Sequence, residues 1–173
     1  MKTTNILNLT LFVLVAGLVL SGCNAKQAKQ LLQHKNALSA IAGNKNASPD
    51  QKLDVLMTNM VTMMHEGMRI ANPKKGVSYV SKFGKENTTS INQIIGEVAA
   101  WQKNMNTAQQ LAFGAQLLRK PYAKDALELI PKFVRKYKQI AFVTKTVGNL
   151  KSNILGGNMG GNMLEKGLKG LGL

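Results

Sequence analysis

The chain has 173 residues, 45% hydrophobic and 18% charged, with 23 Lys+Arg against 8 Asp+Glu and a formal charge of +15. That length allows one domain with a tail, and the apolar content supplies a core, which excludes an acidic, disordered chain. One cysteine and two histidines exclude a disulfide framework and a Cys/His zinc site within one chain.

The chain opens Met1-Lys2 and then turns apolar from Ile6, with an unbroken run from Leu11 to Leu20 followed by small residues. This is the layout of a secretory signal. Ten uninterrupted apolar residues rise only about 15 Å as helix against roughly 30 Å of hydrocarbon, so a permanent membrane span is disfavoured. At the end of the run stand Leu20-Ser21-Gly22-Cys23, and this tetrad resembles the lipobox of bacterial lipoproteins. The resemblance covers about the first 23 residues. It implies transfer of diacylglycerol to the Cys23 thiol, cleavage between Gly22 and Cys23, and acylation of the new amino terminus. In the enterobacterial members of the family an aspartate after the cysteine favours inner-membrane retention; Asn24 stands there in this chain and points to the outer membrane. Two or three acyl chains, at about 0.8 kcal/mol per buried CH₂, anchor far more firmly than one. The expected organisation is a signal peptide at 1–22, a lipidated tether at 23–25, a helical bundle at 26–152 and a Gly-rich tail at 153–173. Cleavage removes Lys2, so the mature chain carries 22 basic and 8 acidic residues, or +14 before acylation of its terminus.

Residues 26–42 carry Leu31, Leu32, Leu38 and Ile41 among Lys and Gln, a weakly amphipathic helix stopped by Gly43 and Asn44-Lys45-Asn46. Ser48-Pro49-Asp50-Gln51 then reads as a helix start, with Ser48 as cap, Pro49 in the first position and Gln51 as capping-box partner. At 100° per residue, Leu53, Leu56, Met57, Met60, Val61, Met63, Met64 and Met68 fall within about 160° of arc. That helix should end before Asn72-Pro73, since proline disfavours helix in the residue preceding it, and a basic loop should follow.

Val77–Phe83 alternates as a strand would, while Val80 and Phe83 at three-residue spacing favour a short helix, and Gly84–Thr89 reads as a turn. Ile91, Ile94, Ile95, Val98 and Trp101 then recur at helical spacing. Thr107 with Gln110 forms a capping pair ahead of Leu111, Phe113, Leu117 and Leu118, and Pro121 separates this helix from the next. From Lys124 to about Leu150 one long helix is expected, kinked or broken at Pro131, which lacks an N–H and crowds the Leu127 carbonyl. Beyond Ser152 the glycines, including the tandem Gly156-Gly157-Asn158-Met159 and Gly160-Gly161-Asn162-Met163, make a poor autonomous helix. No longer repeat and no strand-turn-strand signal recurs. The fold class is therefore all-α, a single irregular bundle of about five helices.

Chemistry is sparse. Met60, Met64, His65 and Met68 are of the ligand types that suit Cu(I), or they could line a pocket for an apolar ligand. Yet the methionines share their arc with leucine and valine, whereas His65 falls about 40° outside it near Asp54, so core packing is the reading taken. His65-Glu66 begins a zinc-protease motif that fails because Arg69 occupies the second ligand position. His34, far in sequence from any carboxylate, reads as a surface residue. No serine stands in a nucleophile elbow, no carboxylate pair is singled out by spacing, and the C-terminal glycines lack the features of a phosphate loop. No catalytic residue, metal or cofactor is assigned.

Charge is the remaining clue. Lys120 to Lys151 holds eight basic residues against Asp125 and Glu128, and Lys132, Arg135, Lys136 and Lys138 are the candidate anion-binding set. Their partners would be an anionic lipid, a glycan or an envelope protein. Nucleic acid is a poor partner, with 5% aromatic residues, no binding motif and three Arg among 23 basic residues. The expectation is a non-enzymatic, lipid-anchored envelope module held to the membrane through Cys23.

Overall fold

The computed structural model describes residues 25–150, and side chains as far as 146. Six helices form an all-α bundle: α1 (Ala25–Gly43), α2 (Pro49–Arg69), α3 (Pro73–Lys103), α4 (Thr107–Leu118), α5 (Pro121–Tyr137) and α6 (Ala141–Leu150). No strand occurs among the described residues. Residues 1–24, Cys23 among them, and 151–173 lie outside them, so the expected signal peptide, tether and Gly-rich tail fall beyond the described residues.

Helix α2 starts as its sequence demands. The Gln51 amide donates to Ser48 Oγ at 3.2 Å and the Ser48 amide to Gln51 Oε1 at 2.9 Å, with Pro49 at the first position. Its apolar arc is the centre of the core: Leu53, Leu56, Met60, Met63 and Met64 are essentially sealed from solvent. At roughly 1.5–3 kcal/mol for each fully buried apolar side chain, this face is the largest reason for the bundle to close. Helix α3 packs along α1 and α2 with Tyr79, Val80, Phe83, Ile91, Ile94 and Val98. Helix α5 closes the other side of α2 with Phe133 and Tyr137, and α6 returns to α3.

Three boundaries differ from the sequence reading. The expected basic loop and the turn at Gly84–Thr89 do not exist, because Pro73–Lys103 is one continuous 31-residue helix. The Asn72-Pro73 pair that ends α2 also starts α3: Asn72 Oδ1 accepts from the Lys75 amide at 3.1 Å and Pro73 takes the first helical position. Gly84 is a packing position, not a turn. A Cβ there would overlap the ring of Phe142 from α6, so its hydrogen is what lets the two helices touch.

The cap of α4 sits one residue earlier than the Thr107–Gln110 pair. Asn106 and Gln109 make a reciprocal capping box with both bonds at 2.9 Å, consistent with Asn being at least as good a cap as Thr. Finally, α5 runs through Pro131 and stops at Tyr137, and α6 begins at Ala141. Packing moves the break. The Tyr137 hydroxyl donates to the Gly67 carbonyl at 2.6 Å and ties the end of α5 to α2, while Phe142 turns back onto Phe83.

Candidate functional site

The four expected anion-binding residues lie at the end of α5 but do not share one role. Lys132, Arg135 and Lys138 are exposed, with no ion-pair partner among the described residues. Lys136 is half-buried and turned inward: its Nζ lies 3.2 Å from the Met68 carbonyl, 3.4 Å from Ile70 and 3.5 Å from Gly67. It caps the end of α2 as a cation at the Met68 and Ile70 carbonyls, the Gly67 carbonyl being bonded already to the Tyr137 hydroxyl and the Ile70 amide. Arg135 and Lys136 also occupy the last turn of α5, where positive charge favours the helix dipole. The basic end of α5 thus has a local reason to exist that an unbroken helix to Leu150 would not supply.

Lys120 is likewise committed. Its Nζ donates to Asp54 Oδ2 at 2.6 Å and approaches Asp50 Oδ2 at 3.4 Å, and the hydrogen bond with Asp54 raises its pKa. The Tyr122 hydroxyl donates to Asp54 Oδ1 at 2.8 Å. Burial first, then the neighbouring carboxylates, push the Tyr122 phenol far above its ordinary value, so it stays protonated. Beside this knot a cleft of about 350 Å³ opens between α2 and the start of α5, lined by Asp54, Thr58, Thr62, His65, Lys120 and Asp125 among others. His65 Nε2 stands 3.3 Å from Asp125 Oδ2, with both side chains largely solvent-accessible. The cleft therefore gathers carboxylates, a histidine, a lysine and a tyrosine, but Lys120 and Tyr122 are spent on Asp54.

The methionine stripe is placed in the core. Met60 and Met64 are sealed inside it and Met68 packs against it half-buried, while the His65 side chain is 40% exposed in the cleft. Among the described residues no group of three or more His, Cys, Asp or Glu gathers as a metal site.

His34 is not a surface residue. It is 5% exposed, on the buried side of α1 with Leu31, Leu38 and Ala42. Its Nδ1 lies 2.9 Å from Asn59 Oδ1 and its Nε2 lies 2.9 Å from Glu66 Oε2, with Phe83 edge-on at 5.3 Å. Asn59 Nδ2 donates to the Val55 carbonyl at 2.8 Å, which turns the amide oxygen toward the imidazole. Both ring nitrogens therefore face side-chain oxygens, which hold the imidazole from two sides. The Tyr79 hydroxyl donates to the same Glu66 oxygen. Burial pushes the Glu66 carboxyl up, but the bonds from His34 and Tyr79 and the charges of His34 and Arg69 outweigh it and hold it below its ordinary value. This polar tie joins α1, α2 and α3 inside the core. The signal for it was the three- and four-residue spacing of Leu31, His34 and Leu38, which puts the histidine on the apolar stripe.

Comparison with family models, with curated proteins and with solved structures finds no match to this chain.

Proposed function

We propose that this protein is a lipid-anchored, non-enzymatic module of the bacterial cell envelope, tethered through acylated Cys23 and, from Asn24, held at the outer membrane. The observation that carries the reading is the nearness of bundle to anchor. Cys23 closes the lipobox-like tetrad and α1 begins at Ala25, two residues on, a reach of about 7 Å. A helix joined so closely starts within about a Debye length of the headgroups.

The first turns of α1 support it. Lys26 and Lys29 are exposed, and no acidic residue occupies the first turn. Positive charge there opposes the helix dipole, so these lysines do not serve the helix; an anionic leaflet below them would attract each by about 1 kcal/mol. No helix among the described residues is long and apolar enough to cross a membrane. Lys132, Arg135 and Lys138, at the C-terminal end of α5, remain exposed for an acidic lipid, glycan or envelope protein.

The test is Cys23→Ser in the natural host. The reading predicts an uncleaved, unacylated precursor; normal maturation and membrane fractionation of the variant would contradict it.

A further inference from the structure

Helix α4 differs from every other helix. Its twelve residues, Thr107–Leu118, contain no charge, and its only buried residue is Phe113. Leu111 and Leu118, at 42% and 50% exposure, are two of the three large hydrophobic side chains the described chain leaves in water. Ala108, Ala112 and Ala115 are exposed as well. At 100° per residue these five span about 120° of arc, on the side of the axis opposite Phe113. The helix is thus apolar on two faces: one holds it to the bundle, where Phe113 meets Trp101 at 5.1 Å, and the other faces outward.

The charge around it selects the occupant. Exposed Lys103 stands before α4 and exposed Arg119 caps its end, and no Asp or Glu occurs between Glu97 and Asp125. An uncharged apolar stripe flanked by cations fits an anionic bilayer surface, where the stripe enters the headgroup–acyl boundary and the cations meet phosphates. A second copy docking antiparallel through the same stripe would set Lys103 of one chain near Arg119 of the other, a like-charge contact.

We propose that α4 is the bundle's membrane-surface helix, seated on an anionic leaflet through Ala108, Leu111, Ala112, Ala115 and Leu118. The proposal rests on the tethered reading above and requires the bundle to lie along the leaflet, since α1 runs parallel to α3, with His34 beside Phe83 and Ala42 beside Gln93, and so sets α4, packed on Trp101, at the end away from Ala25.

The experiment uses the full native-processed protein in vesicles of phosphatidylcholine with and without phosphatidylglycerol. Cys23 is the chain's only cysteine, so acylation leaves no free thiol, and an environment-sensitive thiol probe then reports only an engineered site. Leu111→Cys and Leu118→Cys are compared with Ser39→Cys on the exposed side of α1. The expected result is a blue-shifted, brighter probe at 111 and 118 in the anionic vesicles, quenched by a nitroxide on the acyl chain, and no shift at 39. A probe that stays in water at 111 and 118 overturns the proposal. So does one shielded without lipid quenching, which marks a protein partner, or a doubled mass with the stripe shielded before lipid is added, which marks a second copy. The tether fails separately and visibly: unsubstituted protein that takes up the label has a free Cys23, whatever the probe at 111 reports.

Discussion

Helices α2 and α4 are both rich in apolar residues, yet they meet opposite fates. The apolar arc of α2 is sealed between α1, α3 and α5, while α4 buries one phenylalanine, half-buries Leu117 and leaves two leucines in water. The difference lies in what surrounds each stripe. In α2 charged and polar residues take one side, so a single orientation buries the arc. In α4 nothing is charged, both sides are apolar, and the bundle can cover only one. Apolar content alone therefore does not identify core; a helix with two apolar faces and cationic ends has one face left for something outside the protein.

The two histidines give the sharpest way to break this contrast between inside and outside. His34→Ala strips Asn59 and the half-buried Glu66 of a hydrogen-bond partner and should cost about 1–3 kcal/mol, the range for leaving a buried polar group unsatisfied. His65→Ala removes an exposed pair with Asp125 and should cost about 0–1 kcal/mol. Denaturant unfolding checks both, and equal costs would show that His34 is not sealed.

The same tie predicts a pH dependence. Because the folded protein holds the Glu66 carboxyl below its ordinary value, its contribution is present above the unfolded pKa and is lost as pH falls through the folded one. Stability should therefore fall on acidification from about pH 4.5 downward, and Glu66→Gln should flatten that fall while lowering stability at neutral pH.

Among apolar residues, Leu56→Ala in α2 should cost about 2–5 kcal/mol, against less than about 0.5 kcal/mol for Leu118→Ala in α4. Gly84→Ala probes the contact of α3 with α6. The overlap with Phe142 should cost about 1–3 kcal/mol, the range for overpacking, instead of the gain of up to about 1 kcal/mol that alanine brings to an unhindered helix position. The smallest contrast lies on α5. Lys136→Met should cost about 1 kcal/mol by uncapping α2, whereas Lys132→Met should leave stability unchanged and weaken only binding to anionic vesicles.

Much of the fold was legible locally. The Ser48–Gln51 box and the methionine-rich arc of α2 are short-range patterns, and both appear as written. What the sequence concealed depends on residues far apart in the chain. Gly84 reads as a turn until Phe142 arrives to occupy the missing side chain's place. Lys136 reads as a surface cation until the end of α2 presents its carbonyls. The break of the long C-terminal helix falls after Tyr137, not at Pro131, because Tyr137 is bound to Gly67 across the bundle. His34 differs in kind: its spacing with Leu31 and Leu38 is legible in the sequence, whereas its partners Asn59 and Glu66 stand 25 and 32 residues away. Of the candidate site residues, Lys132, Arg135 and Lys138 are exposed as an anion contact requires, and Cys23 stands outside the described residues.

The most direct test of the account is the intact mass of the protein purified from its native membrane. A chain beginning at residue 23, heavier than its sequence by a diacylglyceryl group and an amide-linked acyl chain, is the predicted result. A species with an unmodified thiol at that position and no fatty acid would contradict it.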